Sequence, residues 1–440
     1  MLYYKLCTYG CQMNVHESEK LAGMLKSLGY EETNDDKLAS VIVLNTCAVR
    51  ENAEQHAIGN IGALKPLKEK NKNLIIAVGG CMTQQNGKAE KLKETFPFVD
   101  IVFGTHNLSS FKEFLLKRLD TGKSVIDVKD GDGNIIETED VFRTSYPNAY
   151  VNVIYGCDNF CTYCIVPYVR GRERSRRPDD VVKEVENLIK DGYKEITLLG
   201  QNVDSYGKNS DFNCDFADLL EKICKIEGKF RLRFMSNHPK DMTKKLAEVI
   251  SKNDKICKAV HLPVQAGSDR VLNLMNRRYT REDYYKKIEM LKSLMPDIAV
   301  TTDIMVGFPT ETEEDFLDTM EIVNSVRFDG AFTFVYSRRS GTAAAEMDGQ
   351  ISESVKKDRI MRLVERQNAI NREKSKEYVG KTVEVLCDDY DDKKNTYLGR
   401  DEFGRMVYFP SERNVIGDFV YVKIIKTGGM SLFGEIVNGK

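Results

Sequence analysis

Two hydrophobic rhythms alternate through the first hundred residues. "YYKLCTYGC" reads as a β-run, and "VHESEKLAGMLKSLGY" carries Leu21, Met24, Leu25 and Leu28 at helical spacing, with Gly29 as its stop. "SVIVLNTC" and "NLIIAVGGC" are unbroken apolar runs, the pattern of parallel strands buried on both faces, and "DIVFGT" predicts another. This pattern predicts an open α/β sheet to about Ser110, inside a first domain over 1–125. The polar, turn-rich stretch "KDGDGNIIETEDVF", residues 129–142, predicts a linker or hairpin.

From about Ala149 the alternation resumes. "YVNVIY", "EITLLG", "RLRFM", "KAVHLPV", "IAVTTDIMV" and "GAFTFVY" are strand candidates separated by amphipathic stretches such as "PDDVVKEVENLIKDGY". Six strand–helix alternations with right-handed crossovers predict a barrel or partial (β/α)6 barrel over 145–372. A long helix follows, with Ile360, Leu363, Val364 and Ile370 on one face. After it the period changes to short strands with Gly turns, so residues 373–440 predict a small all-β, OB-like barrel. Tyr397, Phe403, Tyr408 and Phe409 are its exposed-looking aromatics, some of which must be core.

Composition narrows the class. No stretch approaches the roughly 20 apolar residues of a membrane span, and "MLYYKLCTYG" lacks the basic start and apolar run of a secretion leader. Eleven cysteines, an odd number, then predict a reducing, cytoplasmic setting with thiolates free or bound to metal. The formal net charge of −2 excludes a global basic field, so any nucleic-acid contact must use local patches.

The chemistry concentrates in "GCDNFCTYCIVP". Cys157, Cys161 and Cys164 form a C-x3-C-x2-C set with no fourth Cys or His nearby. Three thiolates fit a zinc ion completed by water, and they fit an iron–sulfur cube whose fourth iron stays open for a small molecule. A disulfide does not suit a reducing setting. The loop follows the first barrel strand, on the face where barrels place their chemistry. In the first domain Cys11, Cys47 and Cys81 each stand at or just beyond a strand end. Strands of one parallel sheet end on one edge, so these three can converge although they are distant in sequence. Gly10, Gly79 and Gly80 flank two of them and permit close backbone approach. Buried packing is the alternative for each cysteine taken singly. Cys7, Cys214, Cys224, Cys257 and Cys387 share no such pattern.

C-x3-C-x2-C with Tyr163 before the last cysteine resembles the signature of radical S-adenosylmethionine (SAM) enzymes. There the open iron is chelated by SAM, whose one-electron cleavage yields a 5′-deoxyadenosyl radical. "TYGCQMNVHESEKLAGML" together with "GCDNFCTYCIVPYVRGRERSR" resembles the radical SAM methylthiotransferase family over nearly the whole chain, and "CQMN" with "HESE" is similar to its MiaB branch. The resemblance implies an N-terminal methylthiotransferase domain, a radical SAM domain and a C-terminal TRAM domain. It implies two [4Fe-4S] clusters, one on Cys157, Cys161 and Cys164 and one on Cys11, Cys47 and Cys81, with SAM as cosubstrate. It implies methylthiolation at C2 of N6-isopentenyladenosine 37 in a tRNA anticodon stem-loop. The partners expected with it are a flavodoxin- or ferredoxin-like one-electron reductant and a sulfur or iron–sulfur carrier, with no membrane. Gly341-Thr342-Ala343 departs from the family's usual Gly-Thr-Pro, and a local loop change is expected there.

Further candidates stand at barrel strand ends. Tyr163, Gln201, Asn202, Gln265 and Ser268 are expected at the SAM site, with plain turn chemistry as the alternative for the residues of the turns. Glu311 lies in another such turn, and His238 reads as a buried, hydrogen-bonded histidine. "RGRERSRRP", residues 170–178, is a cationic run that could meet RNA phosphates or SAM. Rival readings keep the chemistry and change the target to threonylcarbamoyladenosine or a ribosomal-protein aspartate. A rival of another class is an RNA-binding iron–sulfur electron carrier, which would gain nothing from an open iron.

Overall fold

The computed structural model describes every residue except 49, 50, 130, 132–134, 136–140 and 438–440. Most of the linker or hairpin expected over 129–142 therefore lies outside the described residues. The chain forms two compact units, Met1–Thr144 with Ile154–Phe160 and Cys164–Arg174, and Ser145–Val153 with Cys161–Tyr163 and Ser175–Lys440.

In the first unit six strands form one sheet: β1 (Leu2–Thr8), β2 (Tyr30–Glu32), β3 (Val41–Thr46), β4 (Ile75–Gly80), β5 (Ile101–Phe103) and β6 (Val125–Asp127). Their order is β2-β1-β3-β4-β5-β6 and every pairing is parallel. The unbroken apolar runs of β3 and β4 are buried at all positions. Alternation splits them between two cores. Val41, Val43, Ile75 and Ala77 pack with Leu21 and Leu25 of helix α1 (Gln12–Ser27), while Ile42, Leu44, Ile76 and Val78 face Ile61 and Leu92. The sheet runs past the expected limit near Ser110, because β6 adds an edge of three residues of which one is buried. So short a strand carries no alternation to read.

The second unit contains the open barrel. Its strands are β7 (Asn148–Asn152), β10 (Glu195–Leu199), β11 (Arg231–Phe234), β12 (Ala259–His261), β13 (Ala299–Val306) and β14 (Gly330–Val335); the short strands β8 (Ile154–Tyr155) and β9 (Arg174–Ser175) precede and follow the cysteine loop. Parallel pairing gives β11-β10-β7 and β12-β13-β14, and a bridge from Leu232 to Ile256 joins the two halves. Strand order thus follows chain order, and no pairing closes β14 onto β7 among the described residues. Helix starts are set locally. Thr280 and Thr312 exchange capping hydrogen bonds with Asp283 and Asp315, satisfying backbone amides that the first turn leaves unpaired.

The long helix spans Glu353–Lys376. Beyond it β15 (Thr382–Asp391), β16 (Thr396–Arg400), β17 (Met406–Phe409), β18 (Phe419–Gly428) and β19 (Ser431–Val437) close a barrel in the order 15-16-17-19-18. Phe409 is core, and Tyr397 stacks on it. Tyr408 stacks on Phe433, and Phe403 lies under Arg405. The tail is anchored on β11. Arg231 donates to the Arg400 and Glu384 carbonyls at 2.6 and 2.8 Å, and Arg233 donates to the Asp401 carbonyl at 2.5 Å. A cleft of about 800 Å³ opens here, lined by Arg231, Lys255, Tyr378, Glu402, Phe403 and Phe419. Arg231 begins β11, so the cleft is at the opposite strand ends from the candidate SAM residues.

Candidate functional site

Cys47 and Cys81 each directly follow a strand, β3 and β4, whose last residues Thr46 and Gly80 are register partners. The Cys81 amide donates to the Thr46 carbonyl at 3.0 Å, so the two thiols leave adjacent strand ends. Cys11 lies beyond β1 and is the N-cap residue of α1. The flanking glycines make this crowding possible. Gly10 has φ +110°, and a Cβ there would fall 2.5 Å from Cys47 Cβ and 2.7 Å from its Sγ. Gly80 has φ +104°, and a Cβ would fall 2.4 Å from the Thr46 carbonyl oxygen. Cys47 and Cys81 are buried, while Cys11 is half-buried.

Cys81 sits in an apolar pocket of Ala48, Ile165 and Val169. Burial pushes its thiol up to about 12; Arg170 opposes the rise, and Glu17, Cys47 and Cys11 add to it. A metal ligand must be deprotonated, and a cation at this pocket favours that form. Arg170 supplies one. It ends the helix Val166–Arg170 that follows Cys164, and its Nε donates to Cys81 Sγ at 3.1 Å.

The cysteine loop is fixed residue by residue. The Cys157 amide donates to the Gly171 carbonyl at 3.1 Å, and its Sγ accepts from Asn159 Nδ2 at 3.5 Å. In the second unit Thr162 donates through its hydroxyl to the Leu274 carbonyl at 2.8 Å and accepts from the Ala344 amide at 2.8 Å. Ala344 belongs to the single turn Ala343–Ala345. Cys161 is buried, and Arg277 Nη1 donates to its Sγ at 3.4 Å. The other Arg277 nitrogens donate to the Tyr279 hydroxyl and the Pro263 carbonyl at 3.0 and 2.9 Å.

Both sets are thiol-only, each with an arginine N–H on one sulfur, which suits anionic sulfur ligation. Among the described residues no three or more His, Cys, Asp or Glu side chains close on a single point. A lone zinc needs its thiolates about 2.3 Å from one centre. Three thiolates are a donor set that a zinc ion and an iron–sulfur cluster both accept.

The expected SAM residues divide. Tyr163 packs with Phe308, Tyr336 and Met305. Gln201 is half-buried just after β10. Asn202 is buried, and its amide donates to Asp241 Oδ2 at 2.7 Å. Gln265 has φ +67° and lies against β13 through a bridge to Ile304. Ser268 caps the helix Asp269–Leu274 and donates to Asp315 Oδ1 at 2.5 Å, so its hydroxyl is engaged in holding the turn. Glu311 braces its own turn, accepting from the Gly307 and Phe308 amides with Arg359 at 3.5 Å. Burial raises its carboxyl to about 7 against those three favourable partners.

His238 is buried as expected. Its amide donates to Asp204 at 3.0 Å and its Nδ1 accepts from the Lys240 amide at 3.2 Å. Burial and the nearby Arg277 hold the imidazole well below its ordinary range, hence neutral. The cationic run does not form one surface. Arg170 and Arg176 are buried, the latter bonded to the Asn152 carbonyl and Glu184 at 2.9 and 2.6 Å. Arg172 covers the Phe160 ring, and the exposed Arg177 pairs with Asp211. Sequence reasoning missed the roles of Arg170, Arg277, Asn14 and Glu17. "HESE" gave only a family signature, and an arginine's burial has no periodic signal.

A parallel sheet bearing three thiols at its strand ends, an open (β/α)6 barrel with C-x3-C-x2-C and a β-barrel tail define a radical SAM enzyme with a TRAM domain. The chain matches the Radical SAM superfamily over residues 151–323, the Uncharacterized protein family UPF0004 over 3–104 and the TRAM domain over 376–437. The superfamily implies a [4Fe-4S] cluster and SAM. The chain is 52% identical over 436 residues to tRNA-2-methylthio-N(6)-dimethylallyladenosine synthase of Clostridium perfringens, spanning 98% of this chain and 97% of that protein. The protein of the same description from Thermoanaerobacter pseudethanolicus is 51% identical over 437 residues, 99% and 93% of the two chains. The chain belongs to this family of tRNA methylthiotransferases.

Among solved structures it is similar in fold to the radical S-adenosylmethionine methyltransferase TsrM of Kitasatospora setae, with cobalamin and a [4Fe-4S] cluster bound. That match has a TM-score of 0.58 and 15% identity over 78% of this chain and 77% of that one. The cobalamin-dependent S-adenosylmethionine radical enzyme OxsB gives a TM-score of 0.52 at 15% identity, over 84% and 56%. These likenesses concern the fold alone. No helix among the described residues is long and apolar enough to cross a membrane.

Proposed function

We propose that this chain methylthiolates C2 of N6-dimethylallyladenosine in tRNA, at position 37 of the anticodon loop. The observation that carries the reading is 52% identity across 98% of the chain to a synthase of that description. Cys157, Cys161 and Cys164 would hold one [4Fe-4S] cluster, and Cys11, Cys47 and Cys81 a second. When bound, the first with SAM supplies the carbon radical that removes the C2 hydrogen, the second supplies the sulfur, and another SAM supplies the methyl group.

The chain's residues hold and insulate these groups. C2–H of an adenine is not acidic enough for a general base, which fits a site whose buried histidine, His238, is neutral and tied to the backbone. Arg277 steadies the Cys161 sulfur. Gln201, just after the second barrel strand, and Gln265, bridged to the fifth, would contact SAM. Tyr163 and its apolar neighbours would keep water from the radical. Ser268 and Asn202 act one step back, by fixing the helix start and Asp241.

The test uses anaerobically reconstituted protein, SAM, a one-electron reductant and an anticodon stem-loop carrying no group, a dimethylallyl group or a threonylcarbamoyl group. The dimethylallyl loop should be converted fastest, read by nucleoside mass spectrometry. Replacing Cys11, Cys47 and Cys81 by Ala should leave 5′-deoxyadenosine formation and abolish methylthio product. Replacing Cys157, Cys161 and Cys164 by Ala should abolish both. Methylthio product from the first variant, or faster turnover of the threonylcarbamoyl loop, would overturn the assignment.

A further inference from the structure

Arg170 opens the run that sequence reasoning aimed at RNA phosphates or SAM, yet it is 5% exposed. Every nitrogen of its guanidinium is engaged. Nη1 and Nη2 grip the two carboxylate oxygens of Glu17, Nη2 also donates to Asn14 Oδ1 at 2.9 Å, and Nε donates to Cys81 Sγ at 3.1 Å. Asn14 is held in turn, its amide donating to the Tyr9 and Thr46 carbonyls at 2.8 and 3.0 Å. A planar fork fixed on one edge by a carboxylate has its remaining N–H aimed in one direction, and here that direction is a sulfur.

A purely structural pair would need only Glu17. Burying a guanidinium is costly unless its donors are met, and here Glu17 and Asn14 meet the Nη donors while the Cys81 sulfur meets Nε–H. We propose that Arg170 is a positioning residue for the sulfur site of the first unit: it fixes Cys81 Sγ through Nε–H···S and, by withdrawing charge from that sulfur, sets how readily the group bound there is reduced. Glu17 and Asn14, of the "CQMNVHESE" signature, serve to orient it. The inference rests on the reading that Cys11, Cys47 and Cys81 hold a cluster.

Reduction adds negative charge to a cluster, and an N–H donor on a ligand sulfur favours the more negative state. Removing the donor must make reduction harder. The test is run on the full chain with Cys157, Cys161 and Cys164 replaced by Ala, so that any iron belongs to the N-terminal site. Its reduced-to-oxidised ratio is measured by electron paramagnetic resonance at a fixed poised potential. With Arg170→Gln added, the ratio should fall about tenfold, which is about 59 mV for a one-electron couple. Arg170→Lys keeps the charge without the aimed fork and should fall between the two; it decides the matter if the glutamine variant takes up no iron. A ratio within twofold of the parent's in the loaded variant overturns the role of Arg170. A parent that binds no iron overturns the underlying cluster reading instead, and iron analysis tells the two failures apart.

Discussion

Gly10→Ala tests how tightly the sulfur site is built. The added Cβ would lie 2.5 Å from Cys47 Cβ and 2.7 Å from Cys47 Sγ, where carbon atoms normally rest about 3.5–4.0 Å apart. Cys47 is 1% exposed, so it cannot yield into solvent. Overpacking of this kind costs about 1–3 kcal/mol. Alanine at φ +110° adds backbone strain of about 1–3 kcal/mol. Together that is about 2–6 kcal/mol, against a total stability of about 5–15 kcal/mol for a domain. The cheapest relief is to swing Cys47 away from its partners, so the site should fail before the fold does. After anaerobic reconstitution, iron should drop from about eight to about four per chain, while 5′-deoxyadenosine formation persists and the melting temperature falls by several degrees. Gly29→Ala is the control. Gly29 has φ +83° with nothing within 4 Å of an added Cβ, so it carries strain without a clash and should keep all its iron. Full iron content and unchanged melting in Gly10→Ala would refute the close approach of Cys11's turn to Cys47.

Two further outcomes follow from buried groups in the second unit. Burial raises the Asp204 carboxyl to about 7 from 3.8, so the fold holds a proton there that the unfolded chain has already lost. The stability this contributes is complete below the unfolded value and is lost as pH rises through about 7; Asp204→Asn should flatten the fall in melting temperature between about pH 5 and 7, and an unchanged slope would disprove the shift. Truncation before Gly380 removes the tail barrel. Arg231 and Arg233 bond to tail carbonyls. Cutting there removes these bonds and the cover over both arginines, each such bond to a charged donor contributing about 1.5–3 kcal/mol, so the truncated chain should melt lower as well as bind tRNA less tightly, and an unaltered melting curve would count against that anchoring.

The sequence by itself determined whatever depends on local rhythm. The unbroken runs 41–44 and 75–78 became the doubly buried strands β3 and β4, and the strand–helix alternation after Ala149 became a parallel barrel in chain order. The C-x3-C-x2-C spacing was legible because its three thiols lie within one loop. That Cys11, Cys47 and Cys81 stand at strand ends was also legible, since parallel strands end on one edge. What only the tertiary structure decided is which distant side chains meet there. Arg170 heads a cationic run that by sequence could meet RNA phosphates or SAM, and it is the buried donor to Cys81 because a helix packs its last residue against α1. Ser268 also caps a helix and is held to Asp315 across 47 positions of sequence. Of the tail's aromatics, some of which had to be core, the fold buries Phe409. Hydrophobic periodicity reports which face of an element is covered. It carries no information on the partner of a polar atom, because that partner is set by the approach of segments far apart in the chain.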